Sequence, residues 1–279
     1  MKERALRFSV YGAIGVAAGL VAALLDYVTI EIILDAVVEL PIGFKLLFPG
    51  FGLVLTAGIL RWPGLRSPTG TSEEFIRAYH DRNDRLRLRY LPARLAAGMT
   101  TVGFGGAMGL EGPAIYAGST IGASMQTRMR GLFADKDKRM LMVAGAAAGV
   151  AAIFKTPATV VLFALEVPYQ GDVARRALLP ALIASSTAYI TFVTVTFNND
   201  PIFLIRRINQ ADNFVSERAA REIVVAVLIG LLAGFGAALM ARAVKEAKKI
   251  EAQRPWWHRA LAASATLGLL IVITEVFYD

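Results

Sequence analysis

Nine charge-free runs of ten or more residues are the feature that most restricts how this chain can fold. Only three of them reach the roughly 18 residues that a simple membrane-spanning helix needs, and Gly or Pro interrupts several others. Broken apolar segments are tolerated at membrane depth only where the irregular backbone is buried or lines an aqueous cavity. The pattern therefore predicts an all-α integral membrane protein, built from tilted and broken helices that meet near mid-membrane, as in transport and channel sites. The runs are Phe8–Leu25, Leu46–Leu60, Leu95–Leu110, Gly112–Thr127, Met140–Phe154, Thr156–Leu165, Ala177–Asn199, Ile223–Ala241 and Ala260–Thr274.

Composition supports this class and excludes others. Hydrophobic residues make up 56% of the 279 residues and charged residues 19%, against ~45–50% and ~25% in soluble domains. Cysteine is absent and the histidines are His80 and His258, which excludes disulfides, thiolate chemistry and a multi-histidine metal site. We expect no metal and no cofactor. The net charge of +8 is spread over several loops, so we expect a lipid bilayer and no nucleic acid as its partner.

A repeated pattern, I-G-x-x-A-G-x-x-A-A-L, indicates internal symmetry. Ile14–Leu24 matches Ile229–Leu239 without a gap, with seven identities in eleven positions; chance is the alternative, because Ala, Gly and Leu are common in membrane helices. Basic residues precede the first copy and follow the second, and Arg61–Arg94 carries eight Arg against four acids. By the positive-inside rule the two copies run in opposite directions, as an inverted repeat. We expect a multi-pass cell-membrane protein with a cytoplasmic N-terminus.

The two copies divide the chain unequally. Residues 1–214 form the first repeat, and residues 215–279 hold only the first two helices of the second, about Glu217–Lys249 and Trp256–Phe277. Either this is a natural half-protein or the sequence is truncated, and we favour truncation.

The strongest motif is Gly109-Leu110-Glu111-Gly112-Pro113, which places a carboxylate between two charge-free runs of sixteen residues. An ionisable residue inside a membrane is a functional-site hypothesis by default. Pro113 fits the first turn of a helix, and the glycines leave backbone amides exposed. Such a helix start forms an anion site, with Glu111 as a tethered competitor for it. The alternative is a glutamate that only caps the helix electrostatically.

Two further segments carry polar signals. Thr71 and Glu74 fit a capping box that starts a helix over about Ser72–His80, whose hydroxyls and amides could also face an anion. The Gly/Ala run after Gly145 predicts a close-packed helix, and Lys155-Thr156-Pro157 ends it and starts another. Glu166 ends the following apolar run; it is either a second buried carboxylate for protons or the cytoplasmic end of a helix.

Together these segments resemble the CLC family of chloride channels and chloride/proton antiporters. Gly109–Pro113 is similar to the family's G-[KR]-E-G-P, and Gly145–Glu166 is similar to its GAAAG-x-AAAF-x-x-P-x-x-x-x-LFALE segment. Glu74–Tyr79 is similar to the residues after the family's first anion loop. The resemblance implies a homodimer with one pore in each subunit, chloride as the favoured anion, and protons as a second cargo in antiporters.

The resemblance also assigns roles to individual residues. It makes Glu111 the gate. A proton path through Glu111 and Glu166 follows only if Glu166 serves as the second carboxylate, because the family's own second acid falls at Val167. The implied anion ligands, which include helix N-terminal amides and a hydroxyl, are Gly70, Thr71, Ser72, Gly109, Leu110 and Gly112.

The chain departs from the family pattern in four places. Leu110 replaces a Lys or Arg, Val167 replaces a second acid that many antiporters carry, and Gly70–Glu74 replaces a G-S-G-I-P loop. The second-half G-x-F-x-P loop and C-terminal Tyr of the family have no counterpart up to residue 279. Two other hypotheses remain: a non-transporting membrane subunit, and a polytopic membrane enzyme that uses Glu111 and Glu166 as acid and base.

Overall fold

The computed structural model describes residues 2–62, 70–81, 86–169, 171–198, 216–253 and 255–278. Within these ranges the regular structure is helical and no strand occurs, which confirms the all-α prediction. The predicted boundary between residues 214 and 215 lies outside the described residues.

Twelve α-helices follow one another along the described residues. Residues Tyr27–Leu34 are π-helical and join the first two helices into one continuous stretch. In chain order the helices are α1 (Lys2–Asp26), α2 (Asp35–Val38), α3 (Ile42–Lys45), α4 (Phe48–Arg61), α5 (Thr71–His80), α6 (Leu91–Gly103), α7 (Glu111–Arg128), α8 (Lys138–Phe154), α9 (Pro157–Glu166), α10 (Leu178–Thr196), α11 (Ser216–Gln253) and α12 (Trp256–Tyr278).

Some apolar runs form long helices and others are broken. Four described helical stretches are long and apolar enough to cross a membrane: Lys2–Val38, Gly43–Arg61, Arg175–Thr196 and Arg221–Lys249. The run Leu95–Leu110 is instead interrupted, because α6 ends at Gly103 and residues 104–110 form an irregular connection to α7. Glu111 follows this connection directly and is therefore the first residue of a helix.

Two compact units are present. One comprises Met1–Ile202 with Ala262–Asp279, and the other comprises Phe203–Leu261. In the first unit the later part of α12 packs on α4, where Ser264 lies against Gly50. The second unit contains α11, which carries the second copy of the repeated pattern. The division into an inverted repeat stays a prediction.

Glycine allows α7 and α8 to touch through their backbones. A Cβ atom on Gly118 would collide with the carbonyl oxygen of Gly145, and a Cβ on Gly145 would collide with that of Gly118. One turn along, Gly149 meets the carbonyl of Ala114 in the same way. Residues 141–152 of α8 are all buried, which confirms the predicted close-packed helix.

The first copy of the repeated pattern packs α1 on α10 by the same means. A Cβ atom added to Gly19 would lie 2.6 Å from the carbonyl oxygen of Ala188, and one added to Gly15 would collide with the carbonyl of Ala184. Small residues at four-residue spacing thus make a helix contact.

Candidate anion site at two helix starts

The first part of the candidate site is the N-terminus of α7. The helix begins at Glu111, two residues before the predicted start at Pro113, and Leu110 is its N-cap with φ −82° and ψ 0°. The carbonyl of Leu110 accepts the first helical hydrogen bond, from the N–H of Ala114 at 3.0 Å. Since the first N–H groups of a helix have no partner within it, this end presents amide donors and a positive dipole.

Glu111 is partly buried, and its carboxylate folds back over Gly109. A Cβ atom on Gly109 would collide with this carboxylate, so any larger residue there would force the Glu111 side chain to move. The side chain of Leu110 is buried, with 6% of its surface exposed. Leu110 therefore offers the site only its backbone, and no cation stands beside Glu111 at that position.

The second part is the N-terminus of α5, and here the capping-box prediction is wrong. Gly70 is the N-cap, with φ −76° and ψ 113°, and Thr71 is the first helical residue. The side chain that folds back on the cap is that of Glu73, whose Oε2 lies 2.9 Å from the Cβ position of Gly70. Glu74 instead pairs with Arg94, because a buried arginine is the stronger partner for a carboxylate.

The two helix starts meet at Gly112. A Cβ atom on Gly112 would sit 2.5 Å from the hydroxyl oxygen of Thr71 and 3.8 Å from that of Ser72. Behind this contact, a Cβ atom added to Gly98 of α6 would lie 2.6 Å from Cγ of Pro113. The structure thus brings together the two sequence segments that were singled out separately, Gly70–Ser72 and Gly109–Gly112.

Sequence reasoning missed Arg94, which it counted among the loop charges of Arg61–Arg94. That expectation is wrong for this residue: Arg94 lies in the first turn of α6 and is only 2% exposed. Its guanidinium pairs with Glu74 and its Nη1 donates to the carbonyl of Gly70 at 3.3 Å. The available signal was its position directly before a sixteen-residue apolar run.

Glu166 is the last residue of α9 and its side chain is exposed. Its surroundings match the helix-end alternative and not a buried carboxylate. The preceding break is confirmed, because α8 ends at Phe154 and Lys155 adopts a left-handed conformation with φ 55°. The Nζ of Lys155 donates to Oδ1 of Asn198 at 2.6 Å.

A hydroxyl pair lies near this end of α9. Tyr79, at the end of α5, has its hydroxyl 2.8 Å from that of Tyr169. Burial, and then the hydrogen bond to Tyr169, raise the pKa of Tyr79 above its ordinary value. The imidazole of His80 contacts the carbonyl of Pro168 at 2.5 Å. Among the described residues, no group of three or more His, Cys, Asp or Glu side chains is arranged to hold a metal ion.

Solved structures share this fold. A CLC-type fluoride/proton antiporter is similar with a TM-score of 0.76 and 26% identity, over 99% of this chain and 66% of that chain. A slow cyanobacterial Cl⁻/H⁺ antiporter is similar in fold, with a TM-score of 0.72 and 19% identity, over 95% of this chain and 63% of that one. Both matches confirm the predicted CLC fold.

Sequence comparison agrees with the fold. A chloride/fluoride channel protein of Pseudomonas syringae pv. tomato (strain ATCC BAA-871 / DC3000) is 32% identical over 109 residues, which are 39% of this chain and 24% of that protein. The chain thus covers about a quarter of that relative and somewhat less than two thirds of the solved structures. The profile of the voltage gated chloride channel family matches residues 51–279. The chain therefore belongs to the voltage gated chloride channel, or CLC, family of membrane proteins.

Proposed function

We propose that the chain supplies an anion site and its gate to a CLC-type channel or anion/proton antiporter. The observation that carries the proposal is the contact between Thr71 and Gly112, which joins the N-termini of α5 and α7. Two helix starts that converge on one point add their dipole ends and their amide donors there. Family membership supports transport over the alternatives of an enzyme or a non-transporting subunit.

The anion ligands in this proposal are backbone amides and hydroxyls. Thr71 and Ser72 are partly buried and bring hydroxyl groups to the meeting point. The remaining proposed ligands are the backbone groups of Gly70, Gly109, Leu110 and Gly112. Neutral donors in a confined place hold an anion without a fixed counter-charge, which suits an ion that must leave again.

Glu111 is the gate in this proposal. When it is ionised, its carboxylate is attracted to the same helix start that would hold the anion. When it is protonated, that attraction is lost and the anion takes its place. Low external pH should therefore open the path, and high anion concentration should compete with the side chain.

Chloride is the anion we propose, and fluoride is the second candidate. The names of two similar proteins include fluoride: a chloride/fluoride channel protein and a CLC-type fluoride/proton antiporter. For protons we propose a path through Glu111 and Glu166, in which Glu166, an exposed carboxylate at the end of α9, exchanges protons with water because Val167 carries no acid. We also propose a homodimer in the cell membrane with a cytoplasmic N-terminus, from the family resemblance and the positions of the basic residues.

The test is chloride flux from liposomes that contain the full-length protein, measured against external pH. Wild type should open as pH falls, whereas Glu111→Gln should be open at every pH. A complete shift from closed to open takes about 5.5 kcal/mol at the extreme. Glu39→Gln, an exposed carboxylate at the end of α2, is the matched control and should keep the wild-type profile.

Fluoride efflux from the same liposomes decides between the two anions. Parallel pH profiles in wild type and Glu111→Gln would refute the gate. They would leave Glu111 as a helix cap worth about 1 kcal/mol of stability.

A further inference from the structure

Arg94 makes three contacts behind the candidate site. Its guanidinium pairs with Glu74, its Nη1 donates to the carbonyl of Gly70 at 3.3 Å, and its Cζ lies 4.7 Å from the centre of the Tyr116 ring. The side chain of Arg94 is 1% exposed and that of Glu74 is 10% exposed. A buried arginine requires such partners, because an uncompensated charge in the interior is costly.

The contacts link three helices at the place where the site is formed. Arg94 belongs to α6, Gly70 is the N-cap of α5, Glu74 lies in its first turn, and Tyr116 lies on α7. Gly70 is the residue before Thr71, whose hydroxyl meets Gly112. The position of the Thr71 hydroxyl therefore depends on where Arg94 holds the carbonyl of Gly70.

Glu74 sets the direction of the guanidinium. Since the carboxylate is on the same helix as Gly70, one turn later, a guanidinium bound to both spans the first turn of α5. The planar fork of arginine can bind two acceptors at a fixed angle, which orders the loop before the helix. The Tyr116 ring closes the remaining side through a cation–π contact, which ties this arrangement to α7.

We propose that Arg94, locked by Glu74, is the positioning residue of the anion site, and that it holds the start of α5 against Gly112. This inference rests on the proposed anion site. It assigns to the ion pair a geometric role, in which both partners are needed together. In a purely electrostatic role, by contrast, the positive charge of the arginine would favour anion binding and the negative charge of Glu74 would oppose it.

The experiment measures chloride and fluoride binding to the full-length protein in detergent, by titration calorimetry with the sodium salts. Positioning predicts that Arg94→Met and Glu74→Gln both weaken binding, each by roughly tenfold, since either change frees the loop. Arg94→Lys keeps the positive charge but loses the planar fork, so positioning predicts weaker binding, whereas a purely electrostatic role predicts affinity within about threefold of wild type. Arg61→Met, which removes an exposed arginine at the end of α4, is the matched control.

Opposite effects of the two changes overturn the proposal: tighter binding in Glu74→Gln with weaker binding in Arg94→Met would show that only charge matters. Unchanged affinity with a lowered melting temperature would show a merely structural pair. If Arg94→Met does not fold, Glu74→Gln and Arg94→Lys decide the question alone. A wild-type protein that binds neither anion refutes the proposed function itself, whereas a wild type that binds and variants that bind equally refute only the role of Arg94.

Discussion

The hydroxyl oxygen of Thr71 lies 2.5 Å from the point where a Cβ atom on Gly112 would sit. An added methyl group at residue 112 would therefore force either the Thr71 side chain or the N-termini of α5 and α7 to move. Gly112→Ala should push the two helix starts apart and weaken chloride binding by roughly tenfold or more, measured by titration calorimetry. Gly58→Ala, in α4 where an added Cβ meets nothing within 4 Å, should bind as wild type. Equal affinities would show that the contact is not part of the site.

The backbone contact between α7 and α8 predicts a stability defect. Gly145→Ala places a methyl group against the carbonyl of Gly118, and overpacking of this kind costs about 1–3 kcal/mol. The melting temperature in detergent should fall clearly. Gly58→Ala should instead be neutral or gain about 0.5–1 kcal/mol, because alanine is the better helix former. A stable Gly145→Ala protein would mean that α7 and α8 are not in backbone contact.

The raised pKa of Tyr79 predicts a loss of stability in alkali. A phenol whose pKa is higher in the folded state holds its proton more tightly there, so its contribution is complete below pH 10 and is lost as pH rises through the folded pKa. Tyr79→Phe should flatten the fall of melting temperature between about pH 10 and pH 12. At pH 7 it should cost about 0.5–1.5 kcal/mol through the lost hydrogen bond to Tyr169. Identical alkaline slopes in the two proteins would exclude Tyr79 as the cause.

The proposed proton path predicts a separable effect at Glu166. With a chloride gradient across the liposome, Glu166→Gln should reduce uphill proton movement by about tenfold or more while chloride flux continues. Glu39→Gln again serves as the control. Uphill movement that survives the change removes Glu166 from the path, and no uphill movement in wild type favours a channel.

Local sequence patterns were sufficient to predict the helices and to identify the two segments of the candidate site. The apolar runs and the Gly/Pro breaks predicted the C-terminal end of α8 and the start of α9 at Pro157. They did not predict that the run Leu95–Leu110 would be part helix and part loop. Apolarity alone does not distinguish a helix from an irregular connection, and in this connection Met108 is 71% exposed whereas Leu110 is buried.

The role of Arg94 could not be predicted, because the sequence shows its charge and not its partner. Arginine beside an apolar run is the normal mark of a helix end at the membrane surface, and the burial of Arg94 depends on Glu74, twenty residues earlier on another helix. The capping-box prediction was wrong for the same reason. The carboxylate that the local pattern had assigned to the helix start forms an ion pair with a residue of another helix instead.

The sequence by itself determined the family, the helical class and the position of Glu111 at a helix start, because these depend on residue type and on spacing along one segment. The tertiary structure alone decided that Thr71 meets Gly112, that Glu73 rather than Glu74 folds over the cap, and that Arg94 lies behind both. The Thr71–Gly112 contact joins two helices that are separated by α6, and the ion pair of Arg94 with Glu74 joins α6 to α5 and leaves Glu73 for the cap. Their geometry is set by how α5, α6 and α7 pack, which no local pattern records.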